Sequence, residues 1–425
     1  MAGYRPISGN IRPYPAIPGI DSMRAEQACY TENVMALELN RVLPDVDLMS
    51  VNAAERLAEL SGKLPSARAR LNAIGVADAA LRARVATAVR MRWAGAIPTD
   101  EPVDGSYPCP PAPARFNALA ADGSQIYPDR HGIALYYLIN TGSIAFRHGS
   151  GQAPDCRTEP RLCFEDADLY EEDGGQIPSF KIDAERDLAE LGELARLAAD
   201  QVGAPTAALV DNGLLLYITL QSPNQRYADA ILQSYLEHLD ALRETGANPA
   251  GVVDRPRAAS VVRLLRLAEL GVAELTEQAL RDLGPYRHMT DGLLFADLEP
   301  GHRSALFENA SPANQDVYKP RGHSIYFFYV RSGETMLRVE VPTWVAQDPE
   351  RLNFVHAAIV TQGELTGGFP YVLMRAHEIA VVTHAERRLL DDALHTALIR
   401  RGLAPSISQK QQGKAWTGSA KQRYG

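Results

Sequence analysis

Two aspartates interrupt otherwise apolar runs in a way that could hold a hard cation. Asp122 stands in ALAADGSQIYPDRHG and Asp211 in AALVDNGLLLY, and each is followed within two residues by glycine. A carboxylate at a strand end followed by Gly sets its charge where the backbone of a sheet opens, a usual place for ligand binding in α/β sheets. Read singly, Asp-Gly and Asp-Asn-Gly are also plain turns. Between them lies DAERDLAELGELARLAA at 183–199, made mostly of good helix formers, with Glu185, Glu190 and Glu193 as further oxygen donors. Helical spacing puts Glu190 and Glu193 on adjacent positions of one face. Each of these glutamates, taken alone, also reads as a solvated charge. Oxygen donors suit Mg2+ or Mn2+, and two such ions about 3.5 to 4 Å apart activate a water and stabilise the leaving oxygen of a phosphodiester.

The order of the surrounding elements narrows the choice. A strand carrying Asp122 is followed by β-rich runs at 133–139 and 143–147, a charged stretch at 155–176 that reads as a loop, the 183–199 helix, and a buried strand in TAALVDNGLLLYITL (206–220) that breaks at Asp211. These are the parts, in order, of an RNase H-like fold, which gathers one carboxylate from its first strand, one from its first helix and one from its fourth strand. The fold class expected is therefore α/β, a mixed RNase H-like sheet flanked by helices. Segments 227–246 and 258–283 read as helices, 324–330 with 335–342 as a hairpin, and 372–400 as one closing helix.

Composition sets the outer limits. The 425 residues are 46% apolar and 22% charged, as in an ordinary globular protein, and no apolar run approaches the ~20 residues of a bilayer span. Four cysteines form no disulfide framework, and Cys156 and Cys163 are too far apart in sequence for a zinc ribbon, so the cytoplasm is the expected compartment. A net charge of −9 argues against phosphate contacts all over the surface but leaves room for a local basic channel. The organisation expected is an irregular arm at 1–20, a helical N-terminal region at 21–97, a Pro-rich linker at 98–114, a main domain at 115–402 and a basic tail at 403–425. The tail carries Lys410, Lys414, Lys421 and Arg423 at low hydrophobicity and reads as disordered in isolation. Arg82, Arg84, Arg90 and Arg92 crowd the end of the helical region, as a solvated face or a DNA contact.

From about Asn117 to about Leu398 the chain resembles the NurA family of DNA end-processing nucleases. The pieces that carry the resemblance are DGS at 122–124, Arg186-x-x-x-Glu190, Leu-Val-Asp-x-Gly at 209–213 and FPYVLMRAHEIAVVT at 369–383, supported by GVVDRPRAASVVRLL, EPGHRSALF and FFYVR…RVEVPTW. The resemblance singles out Glu190 among the helix glutamates and adds a late histidine, so that Asp122, Glu190, Asp211 and His377 are the expected catalytic and metal-binding residues. Family members often carry a Tyr eight residues before that histidine; here the position is Phe369, followed by Pro370, with Tyr371 close by. Arg186, Phe369 and Tyr371 are accordingly the expected substrate contacts. The resemblance further implies Mn2+ or Mg2+ as two ions, 5′ to 3′ exonuclease and single-strand endonuclease activity, a homodimer, and docking on a HerA-type hexameric ATPase during DNA end resection. Two other readings stay open: a non-catalytic DNA-threading subunit of the same assembly, and another RNase H-like phosphotransferase. A P-loop NTPase is excluded by the absence of a Gly-Lys-Ser/Thr run.

Overall fold

The computed structural model describes residues 38–130, 132–201, 203–218 and 222–403. The expected arm at 1–20, residues 21–37 of the helical region, and the tail beyond Leu403 lie outside the described residues. In chain order the strands are β1 (Ala96–Pro98), β2 (Ser106–Tyr107), β3 (Phe116–Ile126), β4 (Tyr137–His148), β5 (Asp155–Cys163), β6 (Thr206–Asp211), β7 (Asn248–Asp254), β8 (Arg303–Ser304), β9 (Phe307–Asn309), β10 (Ile325–Ser332) and β11 (Thr335–Pro342). They form one sheet in the order β1-β9-β10-β11-β7-β6-β3-β4-β5, with β2 paired to β8 and β8 to β10.

Within this order the run β5-β4-β3-β6-β7 defines the architecture. β3, β4 and β5 are successive antiparallel neighbours, whereas β6 runs parallel to β3 and β7 parallel to β6. Three antiparallel strands followed by two that return parallel to the first through helices is the RNase H-like topology. The β10–β11 hairpin then extends the sheet antiparallel to β7.

Period-two alternation on the central strands separates two cores. Phe116, Ala118 and Ala120 of β3, with Ala207 and Leu209 of β6, pack with Val355, Ile359, Leu373 and Ala376 of the Pro349–Glu364 and Tyr371–Ala380 helices. Leu119 and Ala121, with Ala208 and Val210, meet Leu191, Leu194, Leu236 and Leu239 of the Ser179–Ala199 and Gln225–Glu244 helices. Both faces of β3 and β6 are thus covered, which explains their nearly unbroken apolar runs.

The chain divides into two compact units, residues 1–62 and 63–425. From Leu39 on, the described residues of the first belong to the helix Leu39–Ile74, and there Leu43, Leu48, Met49 and Leu57 are exposed. In the second, Ala67 and Leu71 of that helix are buried, and the Ala79–Arg90 helix follows, N-capped by Asp78. Among the described residues no helix is long and apolar enough to cross a membrane.

Several elements differ from the sequence expectation for identifiable reasons. Residues 137–139 of the first run and all of 143–147 belong to one strand, because Asn-Thr-Gly-Ser at 140–143 is not a turn; residues 133–136 precede it. Gly142 is where the Tyr371–Ala380 helix lies on the sheet, and a Cβ there would come within 2.4 Å of the Ala380 nitrogen. The charged stretch after Asp155 is the edge strand β5, whose side chains are mostly exposed, followed by a helical turn at Asp166–Leu169. Residues 96–98 and 106–107, at the start of the Pro-rich stretch and within it, pair with β9 and β8. The expected 258–283 helix is Ser260–Glu269 followed by shorter turns. The expected closing helix is two, Tyr371–Ala380 and His384–Arg400, the second started by a Thr383–Glu386 capping box.

Burial of His356 sets an acid limit on this fold. Its Nε2 lies 2.7 Å from the Gly301 carbonyl, its Nδ1 is buried without a partner, and burial lowers its pKa to about 4. A histidine whose folded pKa is depressed leaves stability intact above its unfolded value near 6.5 and withdraws it as pH falls toward the folded value. The shift corresponds to about 3 kcal/mol lost between pH 6.5 and 4. Chemical denaturation across that range is expected to show a shallower pH slope for His356→Gln than for the wild type; equal slopes would contradict the assignment.

Candidate active site

Strand alternation decides which side chains reach the carboxyl edge of β3 and β6, and from which face. Asp122 continues the Ala118–Ala120 series and so lies on the side of the Tyr371–Ala380 helix, where His377 Nδ1 meets its Oδ2 at 2.7 Å. That helix is fixed by its last carbonyl: Ala380 O accepts from Ser124 Oγ at 2.6 Å and from Asn140 Nδ2 at 2.8 Å. One C-terminal carbonyl is thereby satisfied by the two strands that flank the site. The imidazole itself is 65% exposed and Asp122 is 15% exposed. Asp211 ends β6 beside β3, whose Ala121 is in register with Val210, and by alternation it shares the face of Asp122.

Gly123 points the other way, toward the Ser179–Ala199 helix. A Cβ there would come within 2.4 Å of Arg186 Cγ and 2.7 Å of Glu190 Oε1, so glycine is what lets these side chains lie on the strand. The Gly123 amide donates to Asp122 Oδ1 at 2.9 Å, and Glu190 is buried with Arg186 Nε 3.2 Å from its Oε1. The same guanidinium donates to Asp187 Oδ1 at 2.7 Å and to Gln125 Oε1 at 3.1 Å. Burial, reinforced by Asp187 and Asp122, holds the Glu190 carboxyl well above the usual carboxylate range. Burial also raises Asp187, and burial followed by the charge of Asp122 raises Asp211.

A cleft of about 770 Å3 opens beside this cluster, lined among others by Asp183, Asp187, Glu190, Asp211, Tyr217 and Arg257. The backbone turn after Asp211 is held from behind. Asn212 takes a positive φ of 91°, and the Leu214 amide donates to Glu340 Oε2 at 3.0 Å. Glu340 Oε1 receives Arg338 Nε and a terminal nitrogen at 3.0 and 2.8 Å, and Arg338 also donates to the Tyr329 hydroxyl. Tyr329 in turn donates to Asp291, whose carboxylate accepts the first amides of the Ser260–Glu269 helix. Each buried charge in this chain of contacts has a partner, which is the condition for keeping it inside a sheet.

The structure therefore brings Asp122, Glu190, Asp211 and His377 to one edge of the sheet, although Asp122 and His377 do not line the cleft. Arg186 is there too, but committed to Glu190 and Asp187. Phe369 and Tyr371 are not brought to the cleft: both pack against the apolar core, and Tyr371 sits edge-on to Phe146 at 5.8 Å. Glu193 bonds Ser143 and Arg196, and Glu185 bonds Tyr137 and Arg161. Asp187, one turn before Glu190 on the same face, escaped the sequence reading, although its spacing of three was available. Glu340 escaped as well, since nothing in RVEVPTW announces a contact to a turn 126 residues away.

Among the described residues no three His, Cys, Asp or Glu side chains are set at the spacing that holds an ion. The donor chemistry nonetheless suits a divalent cation: hard carboxylate oxygens are crowded against one another, their charged forms are disfavoured, and one guanidinium already offsets them.

The family model of the NurA domain matches residues 116–382, more than half of the chain. No curated protein matches it in sequence. Among solved structures it is similar to the NurA nuclease from Sulfolobus solfataricus at 13% identity, over 84% of this chain and 98% of that one, with a TM-score of 0.47. It is similar to NurA crystallised with manganese at 12% identity, over 82% and 98%, with a TM-score of 0.40. The catalytic domain of human Endonuclease V matches at 14% identity, over 74% and 96%, with a TM-score of 0.32.

The raised carboxyl of Glu190 has a consequence for stability. A group whose folded pKa exceeds its unfolded value stabilises the fold below the unfolded pKa and loses that contribution as pH rises through the folded one. At pH 7 in chelator, Glu190→Gln is expected to raise the melting temperature by about 2 °C, the shift that ~1 kcal/mol makes in a large domain. The gain should vanish near pH 4. A lower melting temperature for the variant at pH 7 would contradict the electrostatic account.

Proposed function

This chain belongs to the NurA family, a family of nucleases, and from that premise we propose that it hydrolyses DNA phosphodiesters with a divalent cation at the carboxyl edge of β3 and β6. The observation that carries the reading is the concentration of Asp122, Asp187, Glu190 and Asp211 at that edge, with His377 bonded to Asp122. Asp122, Glu190 and Asp211, joined by Asp187, would hold the cation, Mn2+ or Mg2+ and in the two-ion form, and His377 is the further candidate ligand. When bound, the cation supplies Lewis acidity toward the scissile phosphate and toward water.

The chain's own groups account for the rest. Asp122 accepts from His377 Nδ1, which fixes the ring and leaves Nε2 to carry the proton. Hydrolysis adds a water oxygen to phosphorus, breaks the bond to the leaving oxygen, and moves one proton from the water to that oxygen. An exposed imidazole held by a carboxylate suits that transfer. Arg186 offsets the charge of Glu190 and Asp187, a role that a bound cation would share. The substrate is DNA, single strands and duplex ends, with 5′ to 3′ exonuclease and single-strand endonuclease activity. A net charge of −9 fits a cytoplasmic nuclease that works as a homodimer on a HerA-type hexameric ATPase in DNA end resection, where the partner supplies much of the phosphate binding.

Incubation of the full chain with end-labelled single-stranded DNA and Mn2+, with and without chelator, tests this reading. Asp122→Ala and Asp211→Ala are expected to remain folded and lose cleavage, whereas Glu193→Gln, whose partners are Ser143 and Arg196, should cut nearly as the wild type does. His377→Ala should cut at least ~10²-fold more slowly and His384→Ala almost normally. Wild-type cleavage in chelator, or full activity of Asp122→Ala, would overturn the assignment.

A further inference from the structure

β7 ends at Asp254, and Arg255-Pro256-Arg257 leads from it into the Ser260–Glu269 helix. Because β7 runs parallel to β6, and β6 to β3, this turn belongs to the same carboxyl edge as Asp122 and Asp211. Ligands of open α/β sheets bind at that edge. Three arginines line the cleft. Arg186 is committed to Asp187 and Glu190, and Arg338 is buried against Glu340 and Tyr329. Arg257 is exposed and makes no hydrogen bond or ion pair among the described residues. The helix amides beyond it offer no alternative anion site, because Asp291 takes those of Ser260, Val261 and Val262.

Tyr217 lines the same cleft, three residues after the Leu214 amide that Glu340 holds, and is 43% exposed. A polyanion entering a cleft that carries Asp183, Asp187, Glu190 and Asp211 meets repulsion, and among the described lining residues Arg257 is an uncommitted cation that can offset it. A guanidinium fork matches phosphate oxygens, and an exposed phenol ring gives a base a surface to stack on. We propose that Arg257 and Tyr217 form a nucleotide subsite, taking one phosphate and one base of a DNA strand beside the carboxylate cluster. The subsite rests on the nuclease reading and names where that reading's substrate is held.

Fluorescence anisotropy of a labelled oligothymidylate of about 12 nucleotides, with the full chain in chelator so that nothing is cut, tests the proposal. Arg257→Gln is expected to weaken binding about tenfold and to reduce the slope of log Kd against log salt by about 0.7, the amount for one phosphate contact on a single strand. Arg257→Lys should keep the slope. Tyr217→Leu should weaken binding about tenfold at unchanged slope, and Tyr217→Phe should bind as the wild type does. Wild-type affinity and slope in Arg257→Gln, or wild-type affinity in Tyr217→Leu, would overturn the subsite while leaving the nuclease reading intact. A wild-type protein that binds no oligothymidylate would likewise overturn the subsite, whereas loss of the nuclease reading is read from the cleavage assay.

Discussion

Negative charge gathered into a partly buried space is the constraint around which this molecule is arranged. Glu190 is buried, Asp187 and Asp211 are raised by burial, and Asp122 adds to the repulsion on all three. Such a cluster destabilises a fold unless something positive sits within it and the surrounding structure leaves it nowhere to relax. Arg186 is the positive charge, reaching Glu190 and Asp187 from the helix that carries both. Gly123 provides the room, since any side chain at that position would displace the guanidinium stem.

The rest of the sheet holds this arrangement in place. β3 and β6 are covered by apolar helices on both faces, so the register that sets Asp122 beside Asp211 cannot slip without exposing one core or the other. On one side the His377 helix is pinned to Ser124 and Asn140 through a single carbonyl. On the other, the antiparallel extension supplies Glu340, whose bond to Leu214 fixes the turn behind Asp211 and whose partner Arg338 ties it through Tyr329 and Asp291 to the next helix. The hairpin added beyond β7 is thus more than a wider sheet: it supports the turn that presents a carboxylate.

Much of this was legible in the residues themselves. The apolar runs around Asp122 and Asp211, the helix formers at 183–199 and the order of parts indicated an RNase H-like sheet, and the strand order found agrees with it. The strands between Asp122 and that helix were misplaced because their signals are ambiguous. Asn140 to Ser143 looks like a turn but is a strand segment flattened under a helix, and the charges of 155–163 mark an exposed edge strand rather than a loop. Helix ends were blurred where a cap interrupts a continuous pattern, as at Thr383. Contacts between distant segments, such as Glu340 with Leu214 or Ala380 with Asn140, leave no local trace in a sequence. Phe369 and Tyr371 show the opposite case, an aromatic pair whose packing in the core follows from hydrophobicity alone.

The central claim is that the carboxylates at the end of β3 and β6 are a cation site in which Arg186 stands as the resident positive charge. Crystals of the full chain grown with Mn2+, with diffraction recorded at the manganese absorption edge, test it most directly. The account predicts an anomalous peak flanked by Asp122, Glu190 and Asp211, with the Arg186 guanidinium displaced from Glu190. An edge without manganese, with Arg186 still on Glu190 and the metal bound elsewhere on the molecule, would contradict it.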